Sequence, residues 1–186
     1  PENSVILDTR SWEDFAQGHL PGSLYAPVNN YFPSVVGSYV QPEQAIYLVA
    51  EPGGVKDAVA NLVRIGLDKV EGYITSEMVK VYGSGGEKLE STHSISIEEM
   101  EKDVTRNWTL LDVRHQSEYD EEHYPGAVNI AYANLPHQLE WLPKNRPIMV
   151  ICRTSNRSAA ATAYLQKQGY KATHIAGGYQ SWQLQA

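Results

Sequence analysis

Among 186 residues there is a single cysteine, Cys152, and there are only two phenylalanines. One cysteine cannot close an internal disulfide, which excludes the small, disulfide-stapled secreted class and leads us to expect a reducing, cytoplasmic setting with the thiol free for chemistry. Basic residues are also few, 15 Lys and Arg against 22 Asp and Glu, a formal charge of -7. Nucleic-acid binding needs Lys and Arg gathered on one face, and no segment gathers them. No apolar run approaches the roughly 20 residues of a membrane span. The opening PENSVILDTR has neither the basic start nor the apolar stretch of a signal peptide. The histidines form no close His-x-His pair, and without a second cysteine they offer no metal site, so no metal is expected.

What the chain does contain is a repeat. ILDTRSWEDFAQGHLPGSLYAP at 6–27 aligns with LLDVRHQSEYDEEHYPGAVNIA at 110–131, an offset of 104 that places Asp8 on Asp112, Arg10 on Arg114, His19 on His123 and Pro21-Gly22 on Pro125-Gly126. Further on, AIYLVAEPGG at 45–54 aligns with PIMVICRTSN at 147–156. We read two copies of one fold: a first domain over 1–82, an exposed linker rich in Gly, Ser and charge over 83–92, and a second domain over 93–186. In the second copy the apolar runs at 94–97, 109–113, 127–130, 147–152 and 172–176 predict strands, and the stretches 98–104, 117–122, 135–142 and 157–168 predict helices, the last ended by Gly169. Short, continuously apolar strands alternating with helices predict an α/β domain of three layers, a mainly parallel sheet with helices on both faces. The first copy begins directly at its ILDTR strand, without the strand and helix that precede LLDVR. It therefore lacks its opening elements. Because residue 1 is not Met, the chain is expected to be the C-terminal part of a longer protein.

Chemistry concentrates at PIMVICRTSNRSAAATAYL, an apolar strand running into Cys152, a short polar loop, and an Ala-rich helix expected to begin near Arg157 or Ser158. A side chain at the carboxyl end of a strand, just before a helix N-terminus, sits where open α/β sheets bind ligands. There the helix dipole, the unpaired N–H groups of Arg153 to Ser158 and the guanidinium groups of Arg153 and Arg157 all favour thiolate over thiol. A buried, inert core cysteine is the competing reading, and such a sulfur has no need of these neighbours. Protein tyrosine phosphatases use a Cys-x5-Arg loop; here the sixth position after Cys152 is Ser158 and the Arg falls at the fifth. The shorter cradle suits one added sulfur atom better than a phosphoryl group.

CRTSNRS, together with LLDVR, HYPGA and AGGYQSW, resembles the rhodanese family of sulfurtransferases over the whole second copy and, in degenerate form, the first. The resemblance implies sulfane sulfur transfer without a cofactor: Cys152 takes the outer sulfur of thiosulfate or a low-molecular-weight persulfide such as glutathione persulfide and passes it to a thiol, sulfite or cyanide. On this reading Cys152 is the nucleophile and Arg153 contacts an anionic donor. Thr154, Ser155 and Asn156 supply loop amides, Arg157 braces the loop, and Ser158 caps the helix. Asp112 and Arg114 support the strand end beside the site, and His123 has a fold role before its Pro-Gly turn. Trp12, Trp108, Trp141 and Trp182 are expected in the core or at domain contacts.

The first copy departs from the pattern where chemistry would occur: Ala50 takes the place of Cys152 and Glu51 that of Arg153. With 12 acidic and 6 basic residues over 1–92 it is expected to be catalytically silent. Degenerate tandem domains of this kind resemble the C-terminal portion of fusions headed by a metallo-β-lactamase-like persulfide dioxygenase, which makes such a domain a possible N-terminal partner. Two other functions compete: an interaction or redox-sensing module whose thiol is not turned over, and a phosphatase or arsenate reductase, which the Cys-x4-Arg spacing disfavours.

Overall fold

Each run read as a strand in the second repeat forms one, trimmed by a residue or two, and the chain divides into two units, up to Thr92 and from His93 onward. The computed structural model describes residues 3–184. The first unit runs β1 (Ser4–Asp8), α1 (Trp12–Gln17), β2 (Leu24–Tyr25), α2 (Phe32–Tyr39), β3 (Ala45–Val49), α3 (Pro52–Arg64), β4 (Val70–Ile74) and α4 (Ser76–Ser84). The second runs β5 (Ser94–Ile95), α5 (Ile97–Lys102), β6 (Thr109–Asp112), α6 (Gln116–Glu121), β7 (Val128–Asn129), α7 (Leu135–Gln138), β8 (Ile148–Ile151), α8 (Asn156–Lys167), β9 (Ala172–Ile175) and α9 (Gly178–Gln183).

The sheets are β2-β1-β3-β4 and β5-β9-β8-β6-β7, with every strand pair parallel. The repeat is therefore structural: read from the opposite edge, β7, β6, β8 and β9 take the order of β2, β1, β3 and β4. The fifth strand, β5, has no counterpart in the first unit among the described residues. In the second unit Ile97 and Met100 of α5 pack on Leu110, Tyr124, Ile151 and Ile175, closing one face of the sheet. The matching face of the first unit is an apolar cleft of about 470 Å³ lined by Ile6, Leu20, Tyr47, Gly72, Tyr73 and Ile74.

Local chemistry sets the element ends. Ser11 Oγ accepts the Asp14 amide to start α1, and Ser96 and Glu99 exchange backbone-to-side-chain bonds of 3.1 and 2.7 Å to start α5. Two devices occur in both units. Arg10 pairs with Asp8 and donates to the Gly18 carbonyl, as Arg114 pairs with Asp112 and donates to the Glu122 carbonyl. His19 stacks on Phe15 at 3.8 Å and bonds its carbonyl, as His123 stacks on Tyr119 at 3.8 Å and bonds its carbonyl. Each fixes the strand–helix–turn corner that precedes Pro-Gly.

Three expectations change. Residues 83–92 are largely exposed, as read, but they belong to the first unit and do not merely link: Glu90 exchanges two backbone hydrogen bonds with His19, and the Thr92 amide donates to Ala16. The stretch 135–142 is helical only over Leu135–Gln138 and then tightens into a 3₁₀ turn, Leu139–Trp141. Trp141, expected in the core or at a domain contact, is 68% exposed.

Candidate active site

The strand β8 is apolar and largely buried, and it delivers Cys152 to the loop that leads into α8. Small side chains, Ala159 to Ala161 and Ala163, bury α8 closely against the sheet. The helix begins at Asn156, so Ser158 is not its cap; it lies one turn inside, where its hydroxyl can reach the sulfur. Cys152 Sγ accepts from the Ser155 N–H and from Ser158 Oγ, each at 3.2 Å. The Ser158 hydroxyl has one proton, shared between this sulfur and the Ser155 carbonyl at 3.0 Å. Among the described residues the sulfur's donors are thus one loop amide and one hydroxyl, not a ring of amides from Arg153 to Ser158.

Ser155 carries the strain that aims its amide. Its φ is +113°, a region that side chains other than Gly rarely enter. The surroundings hold it there: Gly177 N–H donates to Ser155 Oγ at 2.9 Å, and His174 is packed beneath with its Nδ1 2.9 Å from Ser94 Oγ. Burial pushes His174 down to about 4, so the ring is neutral at ordinary pH.

The Gly-Gly pair that ends β9 is what lets α9 close on the loop. Both residues have positive φ, and the Tyr179 and Gln180 amides donate to the carbonyls of Cys152 (2.7 Å) and Arg153 (3.0 Å). A Cβ on Gly178 would lie 2.3 Å from the Cys152 carbonyl oxygen. The orphan amides of a helix N-terminus are therefore satisfied by the reactive loop's own backbone.

Arg157, expected to add positive field at the sulfur, is committed elsewhere. It is buried and forms a two-pronged pair with Glu118 of α6, 2.5 and 2.9 Å, and the guanidinium holds the Glu118 carboxyl down to about 2. Arg114 lies 4.2 Å above the Tyr179 ring, whose hydroxyl burial pushes up to about 12. Arg153, Thr154 and Asn156 are exposed at the loop tip. Arg153 opens onto a polar cleft of about 240 Å³ whose lining includes Arg114, Glu118, Glu121, Glu122 and Tyr179. Cys152 itself is 1% exposed, under the loop rather than on it.

Sequence reasoning missed Glu118, Tyr179 and the roles of Gly177 and Gly178. Glu118 had one signal, since the repeat puts another acid, Asp14, at its position. In the first unit Ala50 follows β3, α3 starts only two residues later at Pro52, and the amide of Ser76, at the start of α4, is taken by the Glu51 carboxylate at 3.1 Å. A side chain there occupies the place of the loop carbonyls in the second unit.

The family model for the rhodanese-like domain matches twice, over residues 1–89 and 96–185. The chain belongs to the rhodanese family. It is similar to a putative sulfurtransferase of Bacillus subtilis, YtwF, 36% identical over 74 residues, covering 40% of this chain and 72% of the relative. It is also similar to the thiosulfate sulfurtransferase GlpE of Coxiella burnetii, 32% identical over 78 residues, covering 41% of this chain and 73% of the relative. Among solved structures, a rhodanese-related protein of Thermoplasma volcanium matches with a TM-score of 0.48 and 30% identity, covering 50% of this rhodanese chain and 93% of that one. The sulfurtransferase names of these relatives support rhodanese-type sulfurtransferase activity in general terms. No helix among the described residues is long and apolar enough to cross a membrane.

Proposed function

We propose that the second unit moves sulfane sulfur through a persulfide on Cys152. The Cys152 thiolate attacks the outer sulfur of the donor. The donor's S–S bond breaks, the leaving group departs as sulfite or a thiolate, and Cys152 keeps the transferred sulfur. An acceptor, whether a thiol, sulfite or cyanide, then attacks that sulfur and regenerates the thiolate. This is nucleophilic catalysis in two steps, without an external base. The observation that carries the reading is the pair of donors aimed at Sγ, Ser155 N–H and Ser158 Oγ, placed to hold the attacking sulfur and the charge that develops on it in transfer. A phosphatase reading has no support in the geometry, because the loop arginine that would clamp phosphate is paired with Glu118.

For transfer the exposed loop tip must move off the sulfur. The burial of Cys152 favours one second reading, a sensing module whose thiol is modified and not turned over. Intact mass spectrometry decides between them. Under the transfer reading, incubation with thiosulfate or glutathione persulfide adds one sulfur atom, a subsequent thiol removes it over repeated cycles, and Cys152→Ala takes up none. A sulfur that loads once and resists every acceptor would establish the sensor instead.

A further inference from the structure

The cleft that Arg153 opens onto is lined by two arginines, Arg114 and Arg153, and three glutamates, Glu118, Glu121 and Glu122, a formal balance of one negative charge. Bringing in the partners behind them, Asp112 for Arg114 and Arg157 for Glu118, leaves that balance unchanged. Glu122 is tied to Gln183 at 3.0 Å. Among the described residues Arg153, Glu121 and Glu122 have no ion-pair partner, so the mouth carries one uncommitted cation and two anions, of which Glu122 is engaged by Gln183 and Glu121 faces the cleft without such a bond. A doubly charged anion is poorly matched to such a surface.

The silent unit is an internal control. It retains the fold devices, Asp8 with Arg10 and His19 on Phe15, yet at the positions of Asp120, Glu121 and Glu122 it has Ala16, Gln17 and Gly18, and at that of Arg153 it has Glu51. The equivalence is structural, because Arg10 donates to the Gly18 carbonyl as Arg114 does to that of Glu122. The acids also stand at the C-terminal end of α6, where the helix dipole disfavours negative charge. Folding does not call for them there. Only the unit with the cysteine carries them.

We propose that this cleft selects donors that present an ammonium and a carboxylate together, namely persulfides of α-amino-acid thiols, over thiosulfate. Glu121 receives the ammonium group and Arg153 the carboxylate, while the outer sulfur points to Cys152. The inference rests on the persulfide mechanism and deepens it. In the transfer itself the Cys152 thiolate bonds to the outer sulfur, the donor S–S bond breaks, and the amino-acid thiolate leaves with the electron pair.

The test is the single-turnover rate of sulfur loading on the full chain, read by quenching and intact mass. Four donors are compared: cysteine persulfide, N-acetylcysteine persulfide, which lacks the ammonium, cysteamine persulfide, which lacks the carboxylate, and thiosulfate. Cysteine persulfide is expected to load at least about tenfold faster than each of the others, the factor expected for one lost charge-assisted contact. In Glu121→Gln its advantage over the N-acetyl donor collapses toward one, and in Arg153→Gln its advantage over cysteamine persulfide does. Equal loading by cysteine and N-acetylcysteine persulfides, fastest loading by thiosulfate, or variants that lower both ratios alike would each overturn the selectivity while leaving the mechanism standing. Loading by no donor, or equal loading of Cys152→Ala, would remove the mechanism and the selectivity with it.

Discussion

At the scale of single residues, the site depends on atoms that cost little to remove chemically and much to lose functionally. Ser158→Ala deletes a hydroxyl 3.2 Å from the sulfur. A hydrogen bond to a charged group contributes about 1.5–3 kcal/mol, so sulfur loading should slow by roughly ten- to a hundredfold, with little change in the denaturation midpoint. Gly178→Ala acts through the backbone: at φ +61° its methyl would meet the Cys152 carbonyl at 2.3 Å, forcing α9 off the loop. Loading should be abolished and stability should fall by more than about 2 kcal/mol, read by urea denaturation. Cys152 was legible in the sequence because an apolar run broke at a thiol followed by two arginines. Glu118 was not, because its partner lies 39 residues away and only folding brings a carboxylate of one helix to the guanidinium of another. Gly177 and Gly178 stood out only within the AGGYQSW motif, and nothing in the chain says whose carbonyls they approach.

At the scale of elements, three helices share the work. The first turn of α8 carries Ser158 and Arg157, α6 anchors Arg157 through Glu118, and α9 clasps the loop carbonyls. Glu118→Gln leaves the Arg157 guanidinium, only 5% exposed, without a counter-charge. Because Glu118 is partly solvated, the cost should fall below the 3–5 kcal/mol of a fully buried broken pair, about 2 kcal/mol in a denaturation experiment. Arg157→Lys should not restore the pair, because an ammonium cannot meet both carboxylate oxygens in one plane. The strands were legible because both faces of a parallel sheet are covered and each strand reads as an unbroken apolar run. The exposure of residues 83–92 was legible and their attachment to the first unit was not, for a physical reason: a Gly- and Ser-rich stretch can hold itself to a neighbour through backbone bonds, as Glu90 does with His19, and backbone bonds leave no mark on composition. The six-residue α9 was invisible because its start is set by the loop that it caps.

At the scale of the whole molecule, the buried titrating groups set an acid limit for the second unit. Folded His174 is held down to about 4, against an ordinary value of 6.5 in the unfolded chain. Below pH 6.5 the unfolded chain takes up a proton that the folded one refuses, so stability is full above that pH and falls as pH drops toward 4. Glu118, depressed from 4.5 to about 2, adds a second loss only below about pH 4.5. Urea midpoints measured from pH 7.5 to 4.5 should therefore decline for the second unit, and His174→Gln should flatten the decline; an unchanged slope in that variant would remove His174 as its source. The strand order has a further consequence, for biosynthesis. Since β5, first in its unit, neighbours β9 at the edge of its sheet, the second unit cannot close until β9 has left the ribosome. Cys152 emerges well before Gly178, so a nascent polypeptide carries its thiol unguarded, open to any oxidant or stray sulfur species before the enzyme around it exists.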